Sequence, residues 1–70
     1  MYVIILSYAR LEELTIEVHN QPYYERDAAI AKAEALVVEK LQTCHACSAS
    51  VAHLTQANEV YRIPEQVAHA

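Results

Sequence analysis

Two short segments in the first part of the chain have apolar residues at every second position. Residues 1–9, MYVIILSYA, are rich in Tyr, Val and Ile, and both alternating sets are apolar, as in a strand covered on both faces. Residues 13–20, ELTIEVHN, alternate Leu14, Ile16 and Val18 with polar residues. This alternation predicts a half-buried antiparallel strand with those three side chains facing inward. The short link ARLE between the segments is compatible with a hairpin.

A long helix is predicted after the second strand. Asn20 and Pro22 break that strand, and residues 25–44, ERDAAIAKAEALVVEKLQTC, are nearly all good helix formers. Asp27 is expected to cap the helix or to lie in its first turn, where the helix dipole favours an acid. Apolar residues at helical spacing form a stripe, whose alanines allow close approach to a sheet. The stripe contains Ile30, Ala33, Val37, Leu41 and Cys44, widened by Ala29, Leu36 and Val38.

The rest of the chain predicts strand, turn and strand, or a single bulged strand over residues 49–62. The segments are SASVAHL, TQAN and EVYRI. Pro64 is expected to end the ordered domain, which leaves residues 65–70 as a frayed tail. The predicted fold class is α+β, with one small two-layer domain over residues 1–64. Its order is ββαβ or ββαββ, with three or four antiparallel strands and one long helix on one face.

The composition indicates more apolar surface than such a domain can bury alone. Seventy residues form one domain with a thin core, yet 54% of them are hydrophobic, above the usual ~45–50%. One helix covers one face of a sheet, and the first strand is apolar on both. We expect a second copy of the chain to cover the other face, which predicts a homodimer. The alternative is a monomer shielded by its polar neighbours and tail.

The tyrosines are the expected contacts with another protein. They are the only aromatic residues of the chain, and each combines a large apolar body with a polar tip. Tyr23 and Tyr24 precede the helix, where they either close its end over the sheet or anchor a partner. One register of the first strand turns its even positions outward. The predicted contact residues are Tyr2, Ile4, Leu6, Tyr8, Tyr23, Tyr24 and Tyr61.

Charge and hydropathy argue against nucleic-acid and membrane partners. The formal net charge is −4, and the five basic residues are scattered rather than clustered. The apolar run YVIIL is far shorter than the ~20 residues that span a bilayer. The start of the chain lacks the basic region and cleavage site of a signal peptide. We therefore expect a cytoplasmic protein. The two cysteines lie too close together in sequence for a disulfide between them to stabilise the fold, which agrees with a reducing compartment.

Cys44 and Cys47 form a C-x-x-C motif near the predicted end of the helix. Together with His53 they offer three of the four ligands of a zinc site, which is the alternative interpretation of this region. A second cysteine pair and the H-x₃₋₅-H spacing of zinc motifs are missing. A redox role is disfavoured because the negative end of a helix dipole opposes a thiolate. We expect no metal and no cofactor, and we interpret Cys44 as an apolar residue of the helix face.

The sequence contains no catalytic motif. Its lack of glycine excludes a P-loop, a dinucleotide fingerprint and a nucleophile elbow. A small enzyme using His53 or His45 is a further alternative, although no spacing supplies a partner for a general base. We expect a non-enzymatic protein-interaction module, a small homodimeric regulator or inhibitor. In size and outline the chain is similar to short α+β proteins of phages and mobile elements, some of which, including anti-CRISPR proteins, block a host protein.

Overall fold

The computed structural model describes residues 1–56 and 58–68, which form four strands and one helix. The elements are β1 (Tyr2–Arg10), β2 (Glu13–Val18), α1 (Arg26–Lys40), β3 (Ala46–His53) and β4 (Glu59–Val67). The strands make one antiparallel sheet in the order β2-β1-β3-β4. The predicted α+β fold, one helix on an antiparallel sheet, is confirmed, and of the two predicted orders the structure has ββαββ.

The helix joins the two strands that flank β1. Because β2 and β3 both pair antiparallel with β1, they run parallel to each other, and such strands need a crossover connection. The crossover places α1 over β1 and β3, and its backbone also approaches β4 but not β2. The outer strand β2 therefore lies beyond the cover of the helix.

The core lies between the helix and one face of the sheet. Ile4 and Leu6 of β1 are fully buried there, against the fully buried Ala29 and Ala33 of α1. Those two small side chains let the helix backbone come close to the strands. Other members of the core are Leu36, Val37, Cys47, Ala49 and Val51, with Tyr2, Tyr8, Tyr23, Ile30, Leu41, Val60 and Ile63 packed around them.

The helix is shorter than predicted at its C-terminal end. It begins after Glu25, whose side chain makes no capping hydrogen bond, and Asp27 lies in its first turn as one of the two alternatives predicted. It ends at Lys40, and the following turns are closed by bonds such as Cys44 N–H to the Lys40 carbonyl at 2.8 Å. Within the part of the chain that the structure describes, no helix combines the length and the apolar character needed to cross a membrane.

The strand β4 continues past Pro64, where order was expected to end. Residues 65–67 belong to this strand, whereas His69 and Ala70, the end of the predicted tail, lie outside the described residues. Proline is tolerated here because β4 is an edge strand and its pairing with β3 is irregular between Ile63 and Gln66. The segment after the helix is thus a hairpin of two strands, not one long strand.

Candidate interaction surface

The face of the sheet opposite the helix has no cover within the described residues. Side chains alternate between the faces of a strand, so the positions paired with the odd residues of β1 all lie on this second face. We call it the open face. It comprises Val3, Ile5, Ser7 and Ala9 of β1, Leu14, Ile16 and Val18 of β2, Ala46, Ser48, Ser50 and Ala52 of β3, and Glu59, Arg62 and Val67 of β4.

The aliphatic residues of β2 are strongly exposed on the open face. Leu14 and Ile16 are each 69% exposed and Val18 is 60% exposed. The prediction that these side chains face inward is wrong, because Ile16 pairs with Ser7 and therefore shares the face of Ser7. We call these three side chains the β2 ridge. They form a contiguous apolar row with no covering element among the described residues.

Charge is confined to the β4 border of the open face. The Arg62 Nε and Nη2 atoms donate to the two carboxylate oxygens of Glu59 at 2.7 and 2.9 Å, and the Ser50 hydroxyl donates to Glu59 Oε1 at 3.0 Å. The Arg62 bonds and then the Ser50 bond lower the pKa of Glu59. Glu59 and Arg62 neutralise each other within the chain, so the rest of the open face can be buried without leaving an unpaired charge.

Two of the predicted contact residues lie in the core instead of on the surface. Ile4 and Leu6 are fully buried beneath the helix, so they offer no surface to a partner. Tyr8, on the same face of β1, is half-buried at its margin and donates a hydrogen bond to Glu17 Oε1 at 2.9 Å. The Lys40 ammonium lies 4.4 Å from the centre of the Tyr8 ring. Tyr8, Glu17 and Lys40 thus form a contact between the C-terminal end of the helix and strands β1 and β2.

The other predicted tyrosines lie at one end of the molecule. Tyr2 and Tyr23 exchange backbone hydrogen bonds of 2.6 and 2.8 Å, and the Arg26 guanidinium donates to the Val60 carbonyl at 3.3 Å. These bonds bring the start of β1, the start of the helix and the start of β4 together. We call this region the tyrosine end, formed by Tyr2, Tyr23, Tyr24 and Tyr61. Tyr24 is its most accessible member, with 82% of its surface exposed.

The residues of the alternative zinc site do not come together. Cys44 and Cys47 are both free and buried, but His53 lies six positions further along β3 than Cys47, a separation of about 20 Å in a strand. The His53 Nδ1 atom accepts the Gln56 amide at 3.3 Å within the local turn. The described residues contain no group of three or more His, Cys, Asp or Glu side chains arranged to hold a metal ion.

The fold and this surface define a small two-layer α+β domain with an uncovered sheet face. Comparisons with protein-family models, with curated proteins and with solved structures found no match to this chain.

Proposed function

We propose that this chain is a non-enzymatic protein-interaction module that works as a homodimer assembled through the open face. The observation that carries the proposal is the β2 ridge, three adjacent aliphatic side chains that are each at least 60% exposed. Contiguous exposed apolar patches are uncommon on monomeric proteins and mark sites of association. A second copy is the simplest cover because it presents the same apolar row, and Glu59 and Arg62 of the open face are paired with each other.

The energetics set an upper limit on the affinity of the dimer. Fully burying an aliphatic side chain stabilises by roughly 1.5–3 kcal/mol, so the exposed parts of six such side chains, three per copy, give roughly 6–12 kcal/mol. Association costs about 4–15 kcal/mol. Four strands about 4.8 Å apart and about 20 Å long have a footprint on the order of 400 Å² per copy, or roughly 800 Å² in total, which is below the ~1,000 Å² that a stable interface usually exceeds and typical of a weak or transient one. The net gain is at most about 8 kcal/mol, the difference between the largest gain and the smallest cost, so we expect a weak dimer with a dissociation constant in the micromolar range at the tightest.

Sedimentation velocity over a series of protein concentrations tests the dimer. The wild type is expected to change from monomer to dimer as its concentration rises through the micromolar range. Ile16→Glu is expected to remain a monomer throughout, because it places a charge at the middle of the β2 ridge.

Val38→Glu is the matched control for this substitution. Val38 is 63% exposed, close to Ile16 at 69%, but it lies on the helix, on the other side of the sheet. The control is expected to dimerise like the wild type. A wild type that stays monomeric at high micromolar concentration, or a control that dissociates as Ile16→Glu does, would refute the proposal.

The same proposal includes the binding of another protein at the tyrosine end, as expected of a small regulator or inhibitor. Support comes from Tyr24, whose large side chain is almost fully accessible, and from the preference of interfaces for tyrosine. The tyrosine end lies largely outside the open face, since Tyr2 and Tyr61 pair with residues of the helix-covered face. The homodimer therefore leaves it free for a partner.

A further inference from the structure

Each cross-strand row of the open face that contains a ridge residue has a large side chain on β2 and a small one on β3. In one row Ile16 pairs with Ser7, which pairs with Ser48. The row on one side runs from Leu14 to Ala46 through Ala9, and the row on the other side runs from Val18 to Ser50 through Ile5. In all three rows β1 lies between the large and the small residue. The β2 ridge therefore faces a complementary strip of small residues at equal distance across β1.

The strip on β3 consists only of small side chains, those of Ala46, Ser48 and Ser50. A hollow lies beside it, lined by Ser48 and Ser50 of β3 and by Arg62 and Pro64 of β4 among others. The hydroxyl of Ser50 is already bonded to Glu59, so an aliphatic side chain can pack beside it without leaving that hydroxyl unpaired. We call the positions Ala46, Ser48 and Ser50 the β3 trough.

We propose that the two copies of the homodimer stack face to face about a two-fold axis parallel to β1, so that the β2 ridge of each copy fills the β3 trough of the other. This inference rests on the proposed function. Rotation about such an axis keeps every residue at its height along the strands but exchanges the two sides of β1. Ile16 then lies over Ser48 of the second copy, Leu14 over Ala46, and Val18 over Ser50. The arrangement is isologous and closed.

Two other two-fold arrangements fit the surface less well. An axis perpendicular to the strands stacks ridge on ridge and trough on trough, which leaves a void where close packing is required. Pairing of the two β2 edges joins the sheets side by side and leaves the ridge exposed. Only the axis parallel to β1 matches large with small residues in every row of the ridge.

A double-mutant cycle on the dissociation constant of the dimer tests the arrangement. Ile16→Ala is expected to weaken the dimer about tenfold, because no large side chain then packs in the trough. Ser48→Leu is expected to weaken it by a similar factor, because the leucine side chain occupies the space that Ile16 of the second copy needs. The double variant places a small residue opposite a large one again. It is therefore expected to return to within about threefold of the wild type, since contacting residues are not additive.

The control cycle combines Ile16→Ala with Ala52→Leu. Ala52 is on the same face of β3, but its row holds Val3 and Glu59 and no residue of the β2 ridge, so the two effects are expected to be additive. Far-UV circular dichroism of each variant checks that it is folded.

The outcomes separate this inference from the proposed function. Additive losses at positions 16 and 48, or a dimer that is sensitive to Ile16→Ala but unaffected by Ser48→Leu, overturn the stacking and leave the homodimer standing. A wild type that never dimerises overturns both. Rescue in the Ser48→Leu double variant together with additivity in the Ala52→Leu cycle supports the stacking.

Discussion

At the scale of single residues, burial changes the chemistry of Cys47. Desolvation beneath the helix, and then the neighbouring Cys44, raise the pKa of the Cys47 thiol, because both disfavour the thiolate. A buried neutral thiol is a poor nucleophile and a poor metal ligand. The spacing of the C-x-x-C motif was visible in the sequence, but burial of both thiols depends on how the helix packs on β3.

The raised pKa of Cys47 predicts a loss of stability at alkaline pH. The folded state holds the neutral thiol, so this contribution is fully present below the pKa of the unfolded chain and is lost as the pH rises through the raised pKa of the folded chain. We expect the free energy of unfolding, measured by urea titration, to fall more steeply in the wild type than in Cys47→Ala between about pH 8 and pH 11. Cys44→Ala removes only the smaller of the two causes of the raised pKa, so its slope should lie between those of the wild type and Cys47→Ala. Equal slopes in all three proteins would contradict the assignment to Cys47.

At the scale of elements, the order of strands and helix could be predicted from periodicity, but the side that the helix covers could not. Alternation shows that Leu14, Ile16 and Val18 share a face, yet it does not say which face. That choice depends on β1, where both alternating sets are apolar, and the helix covers the set containing Ile4 and Leu6. The prediction for β2 failed because it assumed that alternating aliphatics point toward the core.

The close approach of helix and sheet at Ala33 gives a prediction for the helix. Ala33 is fully buried, so Ala33→Leu forces the helix away from the strands and should destabilise the domain by about 1–3 kcal/mol in urea unfolding. The matched control is Ala35→Leu, because Ala35 is exposed on the same helix. That change should stay within about 0.5 kcal/mol of the wild type. Equal losses would mean that the effect comes from leucine in the helix and not from the helix–sheet contact.

At the scale of the whole molecule, the sequence indicated spare apolar surface, and the structure places a contiguous part of it, the β2 ridge, on the open face. Length, the 54% hydrophobic content and the presence of one helix were sufficient for the first inference. The location of this surface could not be predicted from the sequence, because it depends on the pairing of β1 with both neighbouring strands. That pairing places the ridge and the trough on opposite sides of β1. The tyrosine end likewise depends on contacts such as Arg26 with Val60, between residues far apart in sequence.

The tyrosine end predicts how capture of a partner protein should respond to mutation. With the whole chain as bait, Tyr24→Ser should recover at least about tenfold less of a partner that the wild type retains, because an exposed aromatic anchor is removed. Val38→Ser is the matched control, since it removes exposed apolar surface on the helix, and its recovery should equal that of the wild type. Sedimentation should show that both variants still dimerise. Equal recovery by all three baits, or no specific recovery by the wild type, would contradict this assignment.

The proline of β4 also bears on whether the chain can polymerise. A strand added along β4 meets irregular pairing and lacks an N–H group at Pro64, which hinders lateral growth on that border. The border at β2 is regular, but a sheet with one usable border joins one neighbour and then stops. A filament built by edge pairing alone requires two such borders on every subunit, so edge pairing alone joins no more than two molecules of this chain.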